Sequence, residues 1–454
     1  MKTTDMTVGK PLRIILAFAI PIFIGNIFQQ IYSVVDTMVA GYNLGDAAIA
    51  AIGATSSLYG LIINLAWGMN SGFALVVTRS FGAHDEDTLK KAIAGTMLLD
   101  GVVTVVVTAL SLCFLRPLMR LMNTPESIFA DAYGYMLIIC IGIAGAVAYN
   151  MFSSLLRSVG NSVTPLYFLI VSSVANIVLD LLFVAVLHWG VAGAAAATVA
   201  AEVLSALLSG VYFFRHYRAI LPARDDFRLS AGMLRDFLTN ALAMAFLYCV
   251  VDLGYVFFQS ANNRLGDAII AAHTAARRII SIMMAPLGTI SGAAATFIGQ
   301  NWGAGRRDRV REGLKQEIML AVAWGVFACG VIYLCGEWLV RFTTGSNDAL
   351  TIQNAVMSLR IHLPFYPSLG VLLALRTAMQ AVNIKIPPVL SSAMELGMKI
   401  LAAFFLIPSY GFLGTCVTEP ITWVLCAIFL SVVYCAKRSY FYEAKRGEPN
   451  YDRA

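Results

Sequence analysis

Charge is scarce in this sequence. Only 13% of its 454 residues are Asp, Glu, Lys or Arg, against about 25% in a soluble domain. Histidine is scarcer still, at five residues, and none stands in a His-Glu-x-x-His spacing, which argues against a zincin-type enzyme. There is no Gly-x-x-x-x-Gly-Lys-Ser/Thr loop to cradle a nucleotide. No Gly-x-Ser-x-Gly or Gly-x-Gly-Asp stretch marks an intramembrane enzyme, so a non-enzymatic role is expected. The eight cysteines form no Cys-x-x-Cys pair and fall in or beside apolar runs, where they read as small buried hydrophobes. No secretory leader with a short apolar core and small-residue cleavage site precedes the first apolar run.

What is abundant is apolar. The chain is 59% hydrophobic with a mean hydropathy of +0.75. At about 20 residues per bilayer crossing, its length accommodates about twelve helices. Apolar runs place them at about 14–40, 47–78, 92–115, 130–155, 163–187 and 191–214, then 236–262, 268–299, 314–340, 353–380, 388–407 and 411–436. The expected fold is therefore an all-α polytopic membrane protein. Its net charge of +6 carries no nucleic-acid signal, because the basic residues lie in the loops. Those loops alternate in charge. Lys90, Lys91, Arg157, Arg215 to Arg235, Arg306 to Lys315 and the tail fall on one side. Only Arg116, Arg120, Arg264 and Arg341 fall on the other. The positive-inside rule then sets both termini in the cytoplasm and an even number of spans.

The halves repeat. Leu44-Gly45-Asp46-Ala47 recurs as Leu265-Gly266-Asp267-Ala268, Ser71-Gly72 as Ser291-Gly292, Phe81-Gly82-Ala83 as Trp302-Gly303-Ala304, and Gly190-x-x-Gly193 as Gly411-x-x-Gly414. The offset stays at 220 to 221 residues. Six spans per repeat give equivalent elements the same membrane orientation, hence parallel repeats. The reading is an N-lobe over 1–218, a cytoplasmic loop over 219–234 and a C-lobe over 235–454. Two such lobes suit alternating access.

Intramembrane polar residues point to the site, since acids in a bilayer are costly and usually mark ion pathways. The first half holds Asp36 in the first span, Asn176 and Asp180 in the fifth, and Thr198 in the sixth. Tyr32 with Asp36, and Asn176 with Asp180, are four residues apart and share a helical face. Two carboxylates among amide, hydroxyl and carbonyl oxygens suit a hard monovalent cation or a shared proton. Aligning the halves sets Met398 and Ala402 opposite Asn176 and Asp180, so the cluster is one-sided. The second half instead offers Asp252, His273, Arg277, Arg376, Glu395, Lys399 and Glu419. Glu395 and Lys399 are spaced for an ion pair within their helix. Pro21 interrupts the first span as a kink or hinge.

Taken together, several motifs resemble the multidrug and toxic compound extrusion (MATE) family over nearly the whole chain, with more likeness to its DinF-like branch than to its NorM-like one. They are Pro21 and Asp36, Leu156-Arg157-Ser-Val-Gly160-Asn161, Asn176-x-x-x-Asp180, Gly190-x-x-Gly193-Ala-Ala-x-Ala-Thr198 and Gln300-Asn301-Trp-Gly303-Ala-Gly305. The resemblance implies a pair of six-helix lobes in the plasma membrane. They would export amphipathic, often cationic organic molecules in exchange for Na+ or H+, without another cofactor. It implies a coupling site, with Na+ as a candidate occupant, at Asp36, Asn176, Asp180 and Thr198, with Ala194 offering its carbonyl. It sets Tyr32 and Asn150 near that site or the substrate cavity, and leaves Asp252 as a candidate in the second half. The tenth span has no acid between Gln353 and Gln380, a departure from members with a C-lobe cation site. A monomer acting on small molecules in the lipid bilayer is expected. A flippase for lipid-linked oligosaccharide is the alternative, and would call for a basic cleft.

Overall fold

Apolar runs of this length have one solution in lipid, where helices satisfy every backbone group internally. The computed structural model, which describes residues 4–345 and 348–442, contains helices and turns and no strand among those residues. The helices are α1 (Pro11–Leu44), α2 (Asp46–Gly82), α3 (Glu86–Leu121), α4 (Glu126–Ser158), α5 (Val163–Asp180), α6 (Val191–His216) and α7 (Ala231–Asn262). There follow α8 (Asp267–Gly303), α9 (Arg307–Thr344), α10 (Ala349–His362), α11 (Tyr366–Ala381), α12 (Ile386–Leu401), α13 (Ile407–Tyr410), α14 (Phe412–Ala436) and α15 (Arg438–Tyr442).

Twelve stretches among the described residues are long and apolar enough to cross a bilayer. Four are composite, among them α7, which runs on into a 3-10 turn, Asn263–Leu265. α5 runs on into a π-helical turn, Leu181–Val186; α10 and α11 join through a 3-10 turn, Leu363–Phe365; α12 reaches α13 through a second π-helical turn, Ala402–Leu406. Several helices outrun their apolar cores. α9 starts at Arg307 rather than near 314, because polar residues continue the backbone ladder where the lipid ends. All eight cysteines are free thiols.

The repeat is visible in the backbone. Gly190 and Gly411 begin α6 and α14 with φ of +65° and +58°, a region that a residue with a Cβ rarely enters. The π-helical turns begin at Leu181 and Ala402. That register sets Leu401, rather than Ala402, opposite Asp180.

Contacts divide the chain into two compact units: 1–5 with 20–245, and 6–19 with 246–454. Two of the three boundaries fall inside helices. α1 changes unit one residue before Pro21 and α7 between Ala245 and Phe246, not in the loop that precedes α7. Glycines explain why the start of α7 belongs to the first unit. A Cβ on Gly72 would stand 2.5 Å from the Ala241 Cα, and one on Gly68 2.6 Å from the Ala245 Cα. Arg79 closes the same face with an ion pair to Asp236 at 2.9 Å. Around it lies an apolar core that includes Phe73, Ile93, Met136, Leu155, Phe213 and Phe237.

In the second unit, Asn301 Nδ2 donates to the Met6 carbonyl at 3.1 Å and the Met6 N–H donates to Gln300 Oε1 at 3.2 Å. Arg309 Nη1 reaches the Gly9 carbonyl at 2.8 Å. The Gln300-Asn301 motif is thus the anchor of the N-terminal segment. The Gly160-Asn161 motif fastens the end of α4 in the first unit, where Asn161 Nδ2 donates to Tyr217 Oη at 3.0 Å.

Candidate functional site

Three helices bring the acids of the first unit together. On α1, Tyr32 and Asp36 are one turn apart; on α5, so are Asn176 and Asp180; on α6, Ala194, Thr198 and Glu202 follow at the same interval. α6 approaches closely because Gly193 lies against Phe183 in the π-helical turn, 3.2 Å from its carbonyl group to an added Cβ. The Asp36 and Asp180 carboxyl groups are near enough to interact electrostatically. Asn176 and Asp180 are 2% and 1% exposed, which removes water as a general solution for their polar atoms.

Those atoms are unspent. Asp36 Oδ1, both oxygens of Asp180, and both Asn176 Oδ1 and Nδ2 are buried without a hydrogen-bond partner. Two facing carboxylates present only acceptors, so neither can satisfy the other. The Thr198 hydroxyl donates to the Ala194 carbonyl at 3.1 Å, which leaves its lone pairs directed elsewhere. Every available ligand atom is a hard oxygen, a set that matches a small hard cation or a proton held between two carboxyls. No group of three His, Cys, Asp or Glu side chains fit for a transition metal occurs among the described residues. Beyond the acids, Val39, Val184 and Ala194 close the layer with an apolar cluster.

On the other side of this layer is a cavity of about 290 Å³, near the lower end for pockets that take drug-sized molecules. Asn176 and Thr198 belong to its wall, as do Tyr32, Tyr59, Trp67, Tyr149, Asn150 and Glu202. Asn150 spends one donor on the Ala146 carbonyl of its own helix, at 2.8 Å. The Trp67 Nε1–H and the Ser173 hydroxyl are buried without partners and line the same space. Glu202, which the sequence reading passed over, is the one charged side chain among the described residues of this wall. Its i+4 spacing from Thr198 was the available signal.

The second unit treats its acids differently. Glu419 on α14 accepts from Tyr255 Oη at 2.9 Å, and meets Arg277 at 3.4 Å, His362 at 3.4 Å and Lys399 at 3.8 Å. Glu395 meets Lys399 at 3.3 Å and Arg376 at 3.4 Å. The expected Glu395–Lys399 pair is present, and Arg277 and Arg376 pair with acids inside the unit. Asp252 lies on α7, but its side chain is outside the described residues. Pro21 lies within an unbroken α1.

With this architecture in place, the MatE family profile matches residues 21–182 and 243–405. The chain belongs to the MATE family of multidrug efflux transporters. Each matched block ends within a π-helical turn, one block in each repeat. A probable multidrug resistance protein of Bacillus subtilis, YpnP, is 27% identical over 84% of this chain and 85% of its own. DNA damage-inducible protein F of Escherichia coli is 23% identical over 76% of each. A crystal structure of MATE in complex with MaL6 superposes with a TM-score of 0.89 at 22% identity, covering 98% of this chain and 100% of that one. With its twelve apolar helices, this chain is an integral membrane protein of that family.

Proposed function

We propose that this MATE-family chain is an antiporter that exports amphipathic organic cations in exchange for Na+ or H+. The observation that supports it is the set of unspent oxygens on Asp36, Asn176 and Asp180, buried between apolar helices. Cation or proton entry satisfies the two carboxylates at once and draws α1, α5 and α6 together. Those same helices form part of the cavity wall, so ion binding and cargo binding compete for one arrangement of the first unit. The cavity favours a cation with an apolar body. Tyr32, Tyr59, Tyr149 and Trp67 offer π-faces, Glu202 a counter-charge, and Trp67 Nε1–H a donor for an acceptor on the cargo. No basic residue lines it among the described residues, which disfavours a lipid-linked pyrophosphate as its cargo. Positive-inside charge supports both termini in the cytoplasm, with ions entering from outside.

The driving force is bounded. One charge moving inward through 100 mV contributes roughly 2.3 kcal/mol, and a tenfold ion gradient roughly 1.4 kcal/mol. A neutral cargo exchanged for one ion uses both, which sustains a gradient of several hundredfold, roughly. A monovalent cation exchanged one for one moves no net charge, so only the chemical gradient drives it. The test is ethidium transport in proteoliposomes with sodium and pH gradients imposed separately. One of the two gradients should drive transport in the wild type and fail to do so in Asp180→Asn. Undiminished transport by that variant sinks the coupling assignment.

A further inference from the structure

The buried cluster of the second unit has a charge problem of its own. Three cations, Arg277, Arg376 and Lys399, share two carboxylates, Glu395 and Glu419, which leaves one positive charge in excess among these side chains when His362 is neutral. Five of the six groups are closed off: Glu419, His362, Lys399, Arg376 and Glu395 have side chains at most 10% exposed. Arg277 is the open one, at 27%. It sits ten residues into α8, about 15 Å from the helix start, where an unneutralised charge is costly.

Its geometry is that of a receptor. The guanidinium lies 4.0 Å from the centre of the Tyr255 ring. Its Nη1 alone makes the hydrogen bonds, to Tyr255 Oη at 2.8 Å and to Glu419 at 3.4 Å. Among the described residues Nε and Nη2 have no such partner, and together they form the edge of the fork that grips an oxyanion through two parallel N–H bonds. Lys399 Nζ stands 4.0 Å from the same ring centre, adding positive potential behind it. Tyr255 and the buried acids hold the guanidinium in place, so little side-chain freedom is lost on binding.

We propose that Arg277, stacked on Tyr255 and backed by Lys399, is a binding point in the second unit for the oxyanion of an amphipathic organic molecule, a carboxylate or a phosphate monoester. This goes beyond the antiport reading and does not need it. A ligand of this class neutralises the excess charge, whereas an organic cation adds to it.

The experiment is calorimetric titration of the full chain in detergent with three probes that share one aromatic body: 1-naphthoate, 1-naphthyl phosphate and 1-naphthylmethylammonium. Binding of at least one anion to the wild type is expected, and the tighter of the two sets the class. Arg277→Gln should weaken it by about tenfold or more, as expected for a charge-assisted fork, while ammonium binding stays as it was. Arg277→Lys keeps the charge without the fork, and should fall in between; it also serves if the Gln variant does not fold. A wild type that binds neither anion overturns the proposal, as does undiminished anion binding in the folded Arg277 variants. No gradient is applied, so a chain that binds anions but does not transport ethidium refutes the antiport reading alone.

Discussion

The two halves of this chain share a backbone plan and solve the burial of acids in opposite ways. In the first unit, Asp36 Oδ1 and both Asp180 oxygens are buried and unspent. In the second, Glu395 and Glu419 are each enclosed by at least two basic groups. A buried ion pair that is complete is close to neutral for stability, and its loss is expensive. An uncompensated pair of acids does no structural work of that kind, and in the antiport proposed above it exchanges an ion. The repeat therefore duplicated a scaffold, seen in its glycines and π-helical turns, without duplicating its chemistry. Asp100 and Glu317 show the shared layer beneath. Each is a buried acid on the third helix of its half, held by Asn70 at 2.8 Å or Thr377 at 3.2 Å, and each leaves one oxygen without a partner.

The contrast can be broken by exchanging the fates of the acids. Glu419→Gln leaves Arg277 and Lys399 short of a carboxylate, and should destabilise the protein by about 3–5 kcal/mol, read as a collapse of the thermal melt in detergent. A melt unchanged by that substitution would mean the second unit's network carries no structure. Asp180→Asn should do the reverse: ion-driven transport falls about a hundredfold or more, roughly 2.7 kcal/mol, with the melt preserved. If that variant instead unfolds the protein, the distinction between the units disappears. Asn176→Ala removes one neutral oxygen and should weaken the coupling ion about tenfold, the scale of one ligand contact, in sodium or proton titrations of transport.

The smallest effect lies outside the membrane. The Asp85 side chain accepts from the Thr88 N–H at 3.1 Å and from its hydroxyl at 2.6 Å, which caps α3 and holds the carboxyl below the usual range. A depressed carboxyl stabilises the folded state above its unfolded pKa and loses that contribution as pH falls through its folded value. Asp85→Ala should cost about 0.5–1 kcal/mol at neutral pH, with the difference vanishing below the ordinary carboxylate range. A pH-independent difference would assign the loss to something other than the cap.

Much of this was legible before any coordinates. Asp36, Asn176, Asp180 and Thr198 were identifiable because a polar residue in a long apolar run is conspicuous, and i+4 spacing is a local property of a helix. The same reasoning passed over Glu202, Asp100 and Glu317. Glu202 lies among alanines on α6, and its i+4 spacing from Thr198 was the one local signal it offered. The unit boundaries inside α1 and α7 were hidden for a related reason. Helical periodicity is continuous across Pro21 and Ala245, so only packing partners reveal the change.

The sequence by itself determined the number of spans, their two-fold repetition, the family and the one-sided placement of Asn176 and Asp180, because each follows from composition, offset or spacing along a single helix. Tertiary structure decided which acids are paired and which are left with unspent oxygens. It also decided that Glu202 faces a cavity and that Arg277 keeps an open edge. Those outcomes depend on how each helix is rotated against its neighbours, and that rotation is set by close packing at contacts such as Gly72 on Ala241 and Gly193 on Phe183.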